Sequence, residues 1–145
     1  HKMPKSPFHT YLIRTLLKLL QSAVPAGFIV DTEQPITCMD SEPEPDLSVV
    51  RGEIVDFRHA HPRTAELVIE VCVTSHEYDR SKLRAYARAG VKECWLVLGP
   101  EKQIEVHRQP QAEQFTERTL HGPTGRLTSA AVPNFTVDLG SLFAA

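Results

Sequence analysis

Apolar residues recur at Leu12, Ile13, Leu16, Leu17 and Leu20, the spacing of one face of a helix, and predict an amphipathic helix over about 8–21. Ser6 stands at the capping position before it and Pro7 at its first turn, where a missing N–H costs nothing. Pro25 and Gly27 end it. Phe28 to Glu33 and Pro35 to Met39 then read as two extended segments leading into an acidic, proline-rich turn, Glu42-Pro43-Glu44-Pro45. Leu47 to Val50 is a short strand. Val55 to Thr64, which holds His59, His61 and Pro62, shows no periodicity and reads as an exposed loop.

From Glu66 to Val73 the period changes to two. Leu67, Ile69 and Val71 share one face and Val68, Glu70 and Cys72 the other; the nearly unbroken apolar run predicts burial on both faces, so a carboxylate at Glu70 is out of place. Tyr78 to Ala89 reads as a second helix, with Asp79 near its start and Gly90 suited to the left-handed position that closes it. Glu93 to Leu98 is another buried strand. Gln103 to Arg108 and Gln114 to Leu120 alternate as half-exposed antiparallel strands joined through a Gln109-Pro110-Gln111 turn. Val132 to Phe143 predicts a terminal strand and a short packing segment. The fold class is therefore α/β: a mixed β-sheet flanked by helices, with the strands around Glu70 and Trp95 at its centre.

A length of 145 residues suits one domain, expected over 3–145, with His1 and Lys2 given no role. Cys38, Cys72 and Cys94 lie in strand-like runs with no C-x-x-C pair, which suggests neither a disulfide framework nor zinc and points to a reducing, cytoplasmic setting. The apolar runs are too short to span a bilayer. A formal charge of −2 argues against a protein that coats duplex DNA, but it does not exclude an enzyme whose site itself requires carboxylates.

Asp46 sits where the acidic turn enters a strand, Glu70 lies inside a buried strand and Lys82 is on the helix that follows. Two carboxylates suit Mg²⁺ or Mn²⁺, and an ammonium beside them suits the charge that develops in phosphodiester hydrolysis. At roughly 100° per residue Lys82 and Tyr86 point the same way, with Arg80, Arg84 and Arg88 in a stripe roughly 160° from Lys82. The plainer reading of that stripe is a solvated face. A surface ion pair with Asp79 for Lys82, a buried carboxylate answered by an arginine for Glu70, and a turn-shaping role for Asp46 are the corresponding plain readings. His59 and His61 lack a third ligand. His9, on the first helix, and Glu33, ahead of the acidic turn, are secondary candidates, as a group near the site and as an extra oxygen ligand.

The words Glu44-Pro45-Asp46-Leu47-Ser48-Val49-Val50, Glu66-Leu67-Val68-Ile69-Glu70-Val71, Asp79-Arg80-Ser81-Lys82 running to Tyr86-Ala87-Arg88-Ala89-Gly90-Val91, and Glu93-Cys94-Trp95-Leu96-Val97 together resemble the Uma-two endonuclease family of the PD-(D/E)XK restriction-endonuclease-like superfamily. The first helix and Glu105-Val106-His107-Arg108 are similar too, so the resemblance spans nearly the whole chain. It implies a restriction-endonuclease-like fold, a metal held by Asp46, Glu70 and the backbone carbonyl of Val71, and cleavage of DNA. The superfamily's lysine, two residues beyond the strand carboxylate, is replaced here by Cys72; the resemblance places that function on Lys82, with Tyr86 in support. A homodimer and a partner protein for targeting are compatible with this reading. The rival readings are a catalytically silent fold used for binding or assembly, and a phosphoesterase for small substrates.

Overall fold

The computed structural model describes residues 5–73, 78 and 80–144. Its frame is a six-stranded mixed sheet in the order β1-β2-β3-β4-β5-β6: Phe28–Thr32, Leu47–Arg51, Leu67–Cys72, Glu93–Leu98, Gln103–Gln111 and Gln114–His121. All neighbours are antiparallel except β3 and β4, which run parallel. A parallel pair needs a crossover, and helix α2 (Arg80–Arg88) lies between those strands in the chain.

Helix α1 (Pro7–Ala23) forms as its sequence predicts, with the Ser6 hydroxyl accepting from the His9 N–H at 3.1 Å and Pro7 at the first turn. Its stripe Leu12, Leu16 and Leu20 is fully buried with Leu67, Ile69 and Trp95 of the sheet. Burying each leucine contributes roughly 1.5–3 kcal/mol. The same face receives the C-terminal segment, in which β7 (Arg126–Thr128) pairs with β8 (Thr136–Asp138) ahead of a one-turn helix, α3 (Leu139–Leu142), and Phe135 stacks on Trp95 at 5.0 Å.

The opposite face carries Val68, Cys94 and Leu96 of the sheet, covered by Leu83 and Tyr86 of α2. The alternation read along β3 is therefore correct: Glu70 faces α2, away from α1. Gly90 closes α2 at φ 78°, the left-handed conformation it was expected to supply.

Several expectations need correction. Pro35 to Met39 is not a strand, and Cys38 with it; Ile36 N–H bonds Pro43 O and Cys38 N–H bonds Ser41 O, so the segment closes on its own loop instead of pairing with the sheet. Strand β5 runs on to Gln111 and the hairpin turns at Ala112-Glu113, because the left-handed Ala112 (φ 53°) sets the turn there. The 55–64 loop begins in a single 3₁₀ turn, Ile54–Phe57. Helix α2 starts at Arg80; the expected capping residue Asp79 lies outside the described residues.

Candidate active site

Pairing between β2 and β3 brings the first two candidates together. Leu47 lies opposite Ile69, so Asp46, one residue before β2, meets Glu70. The contact is reciprocal: the Asp46 N–H donates to Glu70 Oε1 at 3.3 Å, and the Val71 N–H donates to Asp46 Oδ2 at 2.7 Å. The backbone before Asp46 is held in turn by Glu33, whose N–H bonds the carbonyls of Pro45 and Asp46. The Glu33 carboxylate itself is paired with Lys5.

Glu70 is 5% exposed, and Tyr86 of α2 donates its hydroxyl to Glu70 Oε2 at 2.8 Å. Burial, then the negative charge of Asp46, pushes the Glu70 carboxyl up to about 7; Lys82 and the Tyr86 bond act the other way without cancelling them. Tyr86 is itself pushed far above the ordinary phenol value by burial and by Glu70, so it stays a donor. Among the described residues, neither Asp46 nor Glu70 has a lysine or arginine within salt-bridge distance. The plain reading of Glu70 as an arginine-paired carboxylate is thus not what the fold contains.

Cys72, two residues beyond Glu70 on the same face, is half-buried, and burial followed by the charges of Glu70 and Asp46 raises its thiol to about 11. It is a protonated group at neutral pH. The positive charge of Lys82 acts on both Glu70 and Cys72. An ammonium from α2 therefore bears on the region that a lysine two residues beyond Glu70 would have served.

His9 comes close from the other side of β2. It is buried on α1, its Nε2 lies 3.6 Å from Asp46 Oδ2, and its Nδ1 has no hydrogen-bond partner. A cleft of about 180 Å³ opens here, lined by Lys5, His9, Arg14, Glu33 and Asp46 among others. His59 and His61 are exposed on the loop after the 3₁₀ turn, in keeping with solvated residues.

A buried carboxylate and a half-buried one that meet with no lysine or arginine within salt-bridge distance among the described residues fit a divalent cation. Among the described residues there is no cluster of three or more His, Cys, Asp or Glu suited to a metal. The donors present are hard oxygens, which suits Mg²⁺ or Mn²⁺ completed by water and not zinc. Replacing Tyr86 by phenylalanine is expected to reduce stability by about 1.5–3 kcal/mol at pH 8, where Glu70 is charged, and by less at pH 5. Denaturant unfolding of the metal-free protein at the two pH values checks this.

The stripe Arg80, Arg84 and Arg88 is divided by the structure. Arg80 reaches the buried Glu105 at 2.7 Å and Arg88 pairs with Asp40 at 3.1 Å, which leaves the exposed Arg84 as the solvated member. Sequence reading missed Glu105 and Glu93. Both are strand carboxylates among apolar neighbours, the same signal that exposed Glu70.

A family model, Uma2, described as "Putative restriction endonuclease", matches residues 1–140. No curated protein matches the chain. Among solved structures, a crystal structure of "a putative nuclease belonging to DUF820 from Anabaena variabilis ATCC 29413" superposes with a TM-score of 0.81 at 18% identity, covering 99% of this chain and 83% of that one. At that identity the likeness bears on the fold. It agrees with the mixed sheet flanked by helices. No helix among the described residues is long and apolar enough to cross a membrane.

Proposed function

The chain belongs to the Uma2 restriction-endonuclease family, and from that premise we propose that it is a Mg²⁺- or Mn²⁺-dependent endonuclease that hydrolyses DNA phosphodiester bonds at Asp46, Glu70 and Lys82. The observation that carries the reading is the meeting of Asp46 and Glu70 across β2 and β3, with Glu70 raised to about 7 and no arginine or lysine within salt-bridge distance among the described residues. Asp46 and Glu70 would hold the cation, with the backbone carbonyl of Val71 as a further oxygen. When bound, a divalent ion supplies a water of lowered pKa and neutralises charge on the phosphoryl oxygens.

The chain's own residues do the rest. The Val71 N–H fixes one Asp46 oxygen and the Tyr86 hydroxyl one Glu70 oxygen, so both carboxylates are oriented before substrate arrives. Lys82 orients the attacking water and offsets the negative charge that grows as water attacks phosphorus in line with the departing oxygen. His9, 3.6 Å from Asp46, lies where it can orient that carboxylate or a water beside it, and Glu33 holds the Asp46 backbone. Two copies, one per strand, would cut a duplex, and a partner protein would supply targeting.

The test is cleavage of supercoiled and linear DNA with Mg²⁺ or Mn²⁺, with metal binding followed by calorimetry. Wild type is expected to cut only with metal. Lys82→Ala should bind metal and lose about 10²–10³ in rate, whereas Asp46→Asn should lose both. Failure to cut, together with no binding heat, would turn the reading into that of a catalytically silent fold.

A further inference from the structure

The ring of His9 is fixed in place although the fold leaves its nitrogens without bonds. The residue lies in the first turn of α1, where its backbone N–H is capped by Ser6 Oγ at 3.1 Å, and the buried leucines further along, Leu12, Leu16 and Leu20, seat the helix on the sheet. That packing carries the imidazole to Asp46, just before β2, with only 9% of the residue exposed.

The two nitrogens meet different surroundings. Nδ1 is sealed and finds no hydrogen-bond partner among the described residues. Nε2 faces Asp46, whose Oδ2 lies 3.6 Å away and already accepts the Val71 N–H at 2.7 Å. A separation of 3.6 Å is beyond a hydrogen bond. The cleft of about 180 Å³ that both side chains line opens at this point.

In a neutral imidazole one nitrogen carries the proton and the other a lone pair. A proton on Nδ1 would make a buried donor with no acceptor, which is costly. A lone pair on Nε2 would face the carboxylate of Asp46, which offers only acceptors. Both ends of the ring therefore place the proton on Nε2. The same assignment separates His9 from a metal ligand, because a ligating Nε2 needs its own lone pair and, as a rule, an acceptor for the Nδ1 proton. What the site gains is an N–H donor beside Asp46 on a ring already immobilised by burial, so little is lost in ordering it when an oxygen arrives.

We propose that the His9 Nε2–H is a hydrogen-bond donor to the substrate and holds a non-bridging oxygen of a DNA phosphate in the cleft beside Asp46. The choice of phosphate rests on the nuclease reading; the tautomer does not. The side chains of Asp46 and Glu70 offer carboxylates to an arriving polyanion, and His9 supplies a donor from α1, on the side of the sheet away from Tyr86. The phosphate is thereby approached from both helical layers.

Two measurements on the full chain test this. The first reads the ring itself, by two-bond ¹H–¹⁵N correlation spectra of ¹⁵N-labelled, metal-free protein, with the His9 signals identified by their loss in His9→Gln. Nε2 should carry the proton and Nδ1 the lone pair, and added Mg²⁺ should leave that pattern in place. The second reads binding apart from cleavage, by anisotropy of a labelled duplex with Mg²⁺ in a Lys82→Ala background. There His9→Ala should weaken duplex binding about ten- to a hundredfold, the range for a hydrogen bond to a charged group, with Mg²⁺ affinity by calorimetry unchanged. His9→Gln, whose amide nitrogen can take the place of Nε2, should recover most of the loss. His9→Asn, whose amide nitrogen reaches only the place of Nδ1, should not, and His61→Gln on the exposed loop should match the background.

A proton on Nδ1 overturns the proposal, as do a loss of Mg²⁺ affinity in His9→Ala, Gln and Asn variants that bind equally well, and a background protein that binds no duplex. Should His9→Ala fail to fold, the wild-type spectrum and the Gln and Asn pair decide the matter. Metal-dependent cleavage in a protein whose His9 variants bind alike removes the donor and leaves the nuclease. The expected tautomer and the expected order of Gln over Asn in a protein that never cuts keep the donor and remove the nuclease.

Discussion

Replacing Glu70 with glutamine is expected to give a protein more stable than wild type above neutral pH that cleaves DNA at under about one thousandth of the wild-type rate. The substitution keeps the shape of the site. The amide oxygen can accept from the Asp46 N–H and the amide nitrogen can donate to the Tyr86 hydroxyl, which both donates and accepts. What disappears is a negative charge that burial and Asp46 both disfavour. Glu70 is raised in the folded state from 4.5 to about 7, an interval corresponding to at most about 3 kcal/mol.

The sign follows from proton counting. Between those two values the folded state binds more protons than the unfolded one, so wild-type stability falls as pH rises through this window. Below pH 4.5 Glu70 is neutral in both states and the two proteins should be equally stable; above pH 7 the full penalty is present, and glutamine should gain about 1–3 kcal/mol after relaxation is allowed for. Denaturant unfolding in chelator at pH 4.5, 6 and 8 measures this. Added Mg²⁺ should narrow the gap, because a cation that binds only the folded wild type stabilises it by mass action. Equal stability at pH 8 would mean that Glu70 carries no such penalty, and the main argument for a cation there would fail. A site that is costly empty and active when filled is the expected form of a stability-activity trade-off.

How much of this the sequence discloses depends on whether the decisive partner is local. Glu70 stands out because an ionisable residue interrupts a run of Leu, Val and Ile, and alternation alone assigns it to the face opposite Leu67 and Ile69. The placement of Lys82 and Tyr86 together follows from helical geometry within one element. The meeting of Asp46 with Glu70 is different. It depends on the register of β2 against β3, and no periodicity fixes register between strands separated by a 15-residue connection, 52–66. The resemblance between families carried that step. The arginine stripe shows the same limit, since a helical wheel separates Arg80 from Lys82 but says nothing of the carboxylate that β5 presents at the flank of the helix. Pro35 to Met39 reads as extended because its residues favour strands, yet a neighbour with free edge groups is what makes a strand, and this segment bonds to its own loop instead.

Glu93 is the sharpest instance, because its sequence signal equals that of Glu70 while its physics is reversed. It too stands in a buried strand, 1% exposed, but on the α1 face. Its carboxylate takes the Ser129 hydroxyl at 2.6 Å, the Trp95 indole N–H at 2.9 Å, Arg108 Nε at 3.0 Å and the Ala131 N–H at 3.0 Å. Burial pushes this carboxyl up, and the bonds from Ser129, Ala131 and Trp95 with the charge of Arg108 more than offset it, so the net shift is downward. Glu93 thereby fastens the 129–131 turn, and with it β7, β8 and Phe135, onto Trp95. Replacing it by alanine leaves several buried donors and one arginine without their acceptor, and is expected to cost about 3–5 kcal/mol, the range for removing one partner of a buried charged network. Glutamine should cost less, since its carbonyl keeps part of the set. For a carboxylate lowered in the folded state, the contribution is fully present above its unfolded value and is lost as pH falls through the folded one, so the difference between wild type and Glu93→Gln should shrink on acidification, as in the Glu70 pair but with the opposite sign, wild type being the more stable member here. Urea unfolding reads this directly, between pH 8 and 4.5 for the Glu70 pair and between pH 8 and a pH well below 4.5 for the Glu93 pair. A Glu93→Ala protein as stable as wild type would mean that the C-terminal segment is held by Trp95 and Phe135 packing alone. With soluble, folded Glu93→Ala, cleavage per folded molecule should be unchanged, because Glu93 lies on the sheet face turned away from Glu70.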